Sequence, residues 1–203
     1  MNPRRPRCHQ AWVALVLALL AAGCVTQEEK RDATLAVNLA FQTEYEQILA
    51  EKGVRTYKVK RTEAFVALHA ALSRLGMRIE SQEPEVGYIN VFAPAPTPLN
   101  AREWRQVAEA DLPKIRALAR PHIGWAAEFI NFEPQGLLVV INGTTLDSPG
   151  GSEISLTMRL REVAPPPSGM PRREYPPPTG VRLGLDKIWA QFEQELRSAG
   201  KLP

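Results

Sequence analysis

The chain has 203 residues, 44% of them hydrophobic and 23% charged, which fits one globular domain with appendages and neither a disordered chain nor a multi-span membrane protein. Of its 25 basic residues, three (Arg4, Arg5 and Arg7) lie in the first seven positions, leaving 22 against 22 acidic residues from position 24 onward. A formally neutral body lacks the electrostatic basis of nucleic-acid binding, so no nucleic-acid partner is expected.

The three arginines precede an uncharged apolar run, Ala11 to Ala22. Twelve residues suit the core of a signal peptide and are too few to cross a hydrocarbon layer of ~30 Å as a helix. The run ends in Leu20-Ala21-Ala22-Gly23-Cys24, small residues directly before a cysteine. This resembles the lipobox of bacterial lipoproteins, although Ala21 stands where that motif usually carries Leu. The resemblance implies removal of residues 1–23 as a signal peptide, a lipid on the thiol of Cys24 and acylation, by palmitate or a similar chain, of the new amine. Val25 is not the Asp that retains such proteins in the inner membrane, so the resemblance implies a lipid-anchored protein on the periplasmic face of the outer membrane. Cys8 would leave with the signal peptide. The mature chain would then have no disulfide, no cysteine nucleophile and no thiolate metal site.

Residues 24–34 are polar and read as a tether. Residues 35–53 read as a helix, with Leu35, Leu39, Phe41, Tyr45, Ile48 and Leu49 toward one face and Gly53 as its stop. It either packs on the domain or extends as a stalk. Residues 54–203 then form a single domain. Val54 to Val59 reads as a strand. Thr62 can cap a helix striped by Phe65, Leu68, Leu72 and Leu75, which Gly76 ends. Met77–Ser81 and Tyr88–Phe92 read as antiparallel strands, since the link between them is too short for a crossover. A helical insertion follows at 94–121, with Trp104, Val107, Leu112, Ile115 and Leu118. Asp111 before Pro113 suggests two helices with a bend. Trp125–Phe132 and Leu137–Ile141 read as a hairpin about Glu133-Pro134-Gln135-Gly136, and Gly143–Ser152 as a long polar loop. Ile154, Leu156, Met158 and Leu160 alternate with polar residues, a strand with one buried face. Seven prolines in 164–180 predict an extended strap. Val181–Ala199 reads as a helix striped by Leu185, Ile188, Trp189, Phe192 and Leu196.

The expected fold class is therefore α+β, an antiparallel sheet packed on a long C-terminal helix, in the order β-α-β-β-[αα]-β-β-β-α. The stretch from Tyr57-Lys58-Val59 through Leu75-Gly76 to Val86-Gly87-Tyr88-Ile89 resembles outer-membrane lipoproteins of the BamC type, accessory subunits of the machinery that inserts β-barrels. That resemblance implies a helix-grip fold and an accessory role in outer-membrane assembly.

The residues for catalysis are sparse. Past the signal sequence the histidines are His69 and His122, and no HxxxH or HExxH spacing occurs. There is no GxSxG elbow, and Pro149-Gly150-Gly151-Ser152 lacks the lysine of a phosphate-binding loop. Glu83 and Glu85 flank a proline in a turn. Glu44, Glu46 and Glu51 read as solvated acids on a helix. Trp104, Trp125 and Trp189 read as core or core-edge. Arg172-Arg173-Glu174-Tyr175, inside the proline tract, either docks on a partner or merely straps two elements together. No catalytic residue, metal site or cofactor is expected. The expected role is a non-enzymatic envelope module held to the membrane through the lipid on Cys24 and contacting an envelope protein. The alternatives are a carrier holding a small apolar ligand between sheet and helix, and an enzyme of unknown class.

Overall fold

The computed structural model describes residues 25–203; the signal-peptide reading of residues 1–23 and Cys24 itself lie outside them. The fold is α+β, with a five-stranded antiparallel sheet against which the C-terminal helix packs. The elements are α1 (Gln27–Lys52), β1 (Val54–Tyr57), α2 (Arg61–Arg74), β2 (Arg78–Glu83), β3 (Tyr88–Pro94), α3 (Ala101–Ile123), a 3-10 turn (Gly124–Phe129), β4 (Leu137–Ser148), β5 (Gly151–Glu162) and α4 (Pro178–Ser198). The strand order is β1-β5-β4-β3-β2.

Alternation decides which sheet face is buried. Ile89, Val91, Ala93, Val139, Ile141, Ile154, Leu156 and Met158 all point to one face, and each is at most 1% exposed. Phe65, Leu68 and Leu72 of α2 join them in one core with Leu185, Ile188, Trp189 and Phe192 of α4. Gly76 has φ +82°, the left-handed cap that stops α2 and turns the chain into β2. The cap at the start of α2 is not Thr62: the carboxylate of Glu63 accepts the N–H of Lys60, one turn earlier.

Four expectations need correcting. Of the tether expected at 24–34, the described part is helical from Gln27 onward, because α1 starts there under a reciprocal Thr26–Glu29 capping box. This helix packs on the domain, with Phe41, Tyr45 and Ile48 buried, while Leu35 and Leu39 stay exposed.

The insertion is one helix, not two. α3 runs through Pro113, whose ring faces solvent, and a continuous buried stripe of Trp104, Val107, Asp111, Ile115 and Ala119 holds both halves. Packing along that stripe outweighs the ~3 kcal/mol that an interior proline costs. Asp111 does not cap its own helix. Its carboxylate accepts the Thr179 N–H at 2.9 Å and the Thr179 hydroxyl at 2.7 Å, and so caps α4.

Residues 125–132 are not a strand. Gly124 to Phe129 form a 3-10 turn, followed by an extended segment, so the sheet has five strands rather than six. The expected long loop at 143–152 is also absent. β4 runs on to Ser148, paired with Gly151, and Pro149-Gly150 alone joins the strands. Gly151 is required there, since a Cβ would lie 2.0 Å from the carbonyl oxygen of Tyr57.

Candidate functional site

Three surfaces emerge from this frame. The first is the sheet face turned away from α2 and α4. Asn90, Phe92, Val140 and Asn142 alternate with the core residues and remain part-exposed, and Arg159 and Arg161 are exposed. These side chains are tied to one another. Arg161 meets Glu80 at 3.1 Å and lies 5.6 Å over the Phe92 ring; Asn90 donates to Glu80 at 2.9 Å. Together with the strap they border a shallow groove of about 310 Å³.

The strap itself is internally engaged. The N–H of Leu160 donates to the Glu174 carbonyl at 2.9 Å, so residues beside Glu174 continue the edge that β1 covers over the first half of β5. Tyr175 packs edge-on to Tyr45 at 5.4 Å, and the Arg159 guanidinium lies 4.9 Å from the Tyr175 ring. Arg173 pairs with Glu162 at 2.7 Å. Of the two readings of Arg172–Tyr175, the strap reading describes this arrangement, and covering a strand edge is its physical effect.

The second surface is an apolar cleft of about 340 Å³ between α1, α3 and the strap. Val37, Phe41, Ile115, Ile123 and Met170 line it, and Lys30, Asn38 and Arg173 edge it. It does not lie between sheet and helix, where a carrier was expected to hold its ligand. That space is filled by Leu68, Leu72, Ile141, Leu156 and Trp189, each at most 1% exposed.

The third surface is the 3-10 turn. Trp104 is buried and stacked on Phe132 at 5.0 Å, and Trp189 is fully buried with its indole N–H on the Lys52 carbonyl at 2.7 Å. Trp125, expected in the core or at its edge, is instead 65% exposed, and Phe129, 71% exposed, meets it edge-on at 5.6 Å. A strand over these residues would have put Trp125, Ala127 and Phe129 on one face, whereas the 3-10 turn buries Ala127 and leaves both rings outside. No periodicity in the sequence announced that surface.

The polar residues do not converge. His69 lies on α2 and His122 in the last turn of α3, both part-buried. Among the described residues no three His, Cys, Asp or Glu side chains gather as metal ligands. Glu83 and Glu85 are exposed; Glu44 pairs with Lys114, Glu51 with Arg182 at 2.9 Å, and Glu46 accepts from Gln42 at 3.1 Å. Burial raises the Tyr45 phenol, and two further acids are shifted upward as well. Burial pushes the Tyr57 phenol up to about 12, and burial raises the Asp111 carboxyl against the pull of its two Thr179 hydrogen bonds. Both groups are tied into helix packing, Tyr57 through its hydrogen bond to Glu193 at 2.9 Å. Among the described helices none is long and apolar enough to cross a membrane. Comparison of the chain with protein-family models, curated proteins and solved structures returns no match.

Proposed function

We propose that this chain is a lipid-anchored envelope lipoprotein that binds another envelope protein through its open sheet face and catalyses no reaction. The observation that carries the reading is the sheet itself: one face is packed by α2 and α4, while the other presents Asn90, Phe92, Val140, Asn142 and Arg161 to solvent. A part-apolar, part-polar face with its charges already paired suits contact with a folded partner, because few charges must be desolvated unpaired. The resemblance of Leu20–Cys24 to a lipobox supports the anchor, and only Val25 and the Thr26 cap would separate Cys24 from the helix. The resemblance of residues 54–92 to BamC-type lipoproteins supports an accessory role in outer-membrane assembly.

A photo-crosslinking residue placed at Val140 or Asn142 in the native envelope tests the reading. A discrete protein adduct from these positions, and none from exposed Val66 on α2, is the expected result; equal labelling or no adduct overturns it. The anchor is tested separately by the mass of the protein extracted from its host, which must exceed that of the peptide from Cys24 onward by its acyl chains.

The apolar cleft supports a second reading, a carrier of a small apolar ligand. Its 340 Å³ lies at the lower end of the range of ~300–1,000 Å³ typical of ligand sites. Co-purification of an apolar molecule that is displaced in Ala119→Leu would favour it.

A further inference from the structure

We infer that Trp125 and Phe129 rest in the headgroup region of the lipid bilayer and fix the orientation of the domain on the membrane surface. The inference rests on the proposed anchor at Cys24 and adds to it a second, side-chain contact with lipid.

Three observations converge. The first is position. α1 and α3 run antiparallel, with Glu44 near the middle of α1 paired to Lys114, and Ala33, Ala119 and Ala127 forming one buried cluster with Ile123 and Ile130 against it. Ala127 belongs to the 3-10 turn, so this cluster seats the turn beside the first turns of α1. From Gln27 to Ala33 the helix rises only about 9 Å. The described chain begins at Val25, directly after the apolar run and Cys24. The exposed aromatic pair therefore lies at the end of the molecule where the lipid would be carried.

The second is exposure. Phe41, Phe65 and Phe192 are at most 6% exposed, as are Trp104 and Trp189, whereas Trp125 and Phe129 turn outward together. Ala33, Ala119 and Ala127 pack the inner side of the turn, while both rings lie on its outer side. Tryptophan favours the membrane–water boundary because its ring is apolar and its N–H stays hydrogen-bonded to water or headgroups.

The third is charge. At this end Arg120 is paired with Glu128, and Arg31 with Glu28 at 3.4 Å and Asp32 at 3.0 Å. A surface with most of its charges internally matched meets lipid through its apolar rings more than by attraction to anionic headgroups. The contact should accordingly resist added salt.

The test uses the protein extracted from its host membrane, wild type and Trp125→Phe, reconstituted in phosphatidylethanolamine/phosphatidylglycerol vesicles. Lipids brominated either near the headgroup or near the chain ends quench tryptophan at the matching depth. The expected result is strong quenching of the wild type by the shallow bromine, weak quenching by the deep one, and loss of most of the shallow response in Trp125→Phe at low and high salt alike. Comparing the two proteins cancels any signal from Trp12, should that segment persist. Vesicle flotation of the same samples reads the anchor independently. Protein that floats but shows no Trp125-dependent quenching overturns this inference and leaves the anchor standing. Protein that does not float overturns the anchor; Trp125-dependent quenching at high lipid would then still support the aromatic contact, and its absence would remove that as well.

Discussion

The layer between the sheet and its two helices differs from the layer between α1 and α3 in what fills it. Between sheet, α2 and α4 the residues are large and fully enclosed: Leu68, Leu72, Ile141, Ile154, Leu156, Trp189 and Phe192 are each at most 1% exposed. Between α1 and α3 the contact at one end is made by alanines, and toward the strap the helices part over an apolar cleft. Large interlocking side chains leave no space and set stability. Alanines bring backbones close at one point, and the strap, extended by its prolines, does not fill the gap left beside it. The first layer holds the fold; the second leaves an apolar cleft and the exposed aromatic pair.

Breaking the first layer should have the largest effect. Trp189→Ala deletes a side chain that packs on Phe192 and anchors the end of α1, and should cost ~3–5 kcal/mol in chemical denaturation; Leu68→Ala should cost ~2–5 kcal/mol. A loss below 1 kcal/mol at either position would mean that the sheet–helix layer is not the main source of stability.

Asp111→Ala tests the joint between the two layers, because Asp111 on α3 supplies the acceptors for the start of α4. Loss of such a cap should cost ~0.5–2 kcal/mol. Asp111→Asn, which keeps one acceptor, should recover part of it.

Tyr57 gives the first layer a pH signature. Its folded phenol ionises near 12 and an unfolded tyrosine near 10. Between those values the unfolded chain has lost the proton that the folded chain retains, so stability must fall as pH rises through this window and be insensitive to Tyr57 below it. Stability curves of wild type and Tyr57→Phe should converge in slope below pH 10 and diverge above it.

The smallest effect belongs to the exposed aromatic pair. Trp125→Ser and Phe129→Ser should each shift stability by no more than ~0.5 kcal/mol, since neither ring is buried. A large loss would show that the pair serves the fold and would remove its availability to lipid.

Much of this arrangement is local and was therefore legible in the sequence. The α2 stripe of Phe65, Leu68 and Leu72, the stop at Gly76, the alternation of Ile154 to Leu160 and the stripe of α4 each depend on spacing within one element, and each element formed as that spacing predicts. The candidate surfaces were much less legible. The aromatics within 125–132 suggest a strand, yet residues 124–129 wind into a turn that buries Ala127 with Ala33 and Ala119 and exposes Trp125. Asp111 before Pro113 has the local form of a cap, yet its carboxylate serves a helix 68 residues further on. The cleft belongs to α1, α3 and the strap together and to no single segment of sequence.

The sequence by itself determined the α+β class and the spacing of the core, because side-chain periodicity and caps act over a few residues. Only the tertiary structure decided that α3 is unbroken, that the sheet has five strands, and that one sheet face, one cleft and one aromatic pair stay open. Those features arise where distant elements meet, and there packing energy summed over many contacts overrides local preferences worth a few kcal/mol at most.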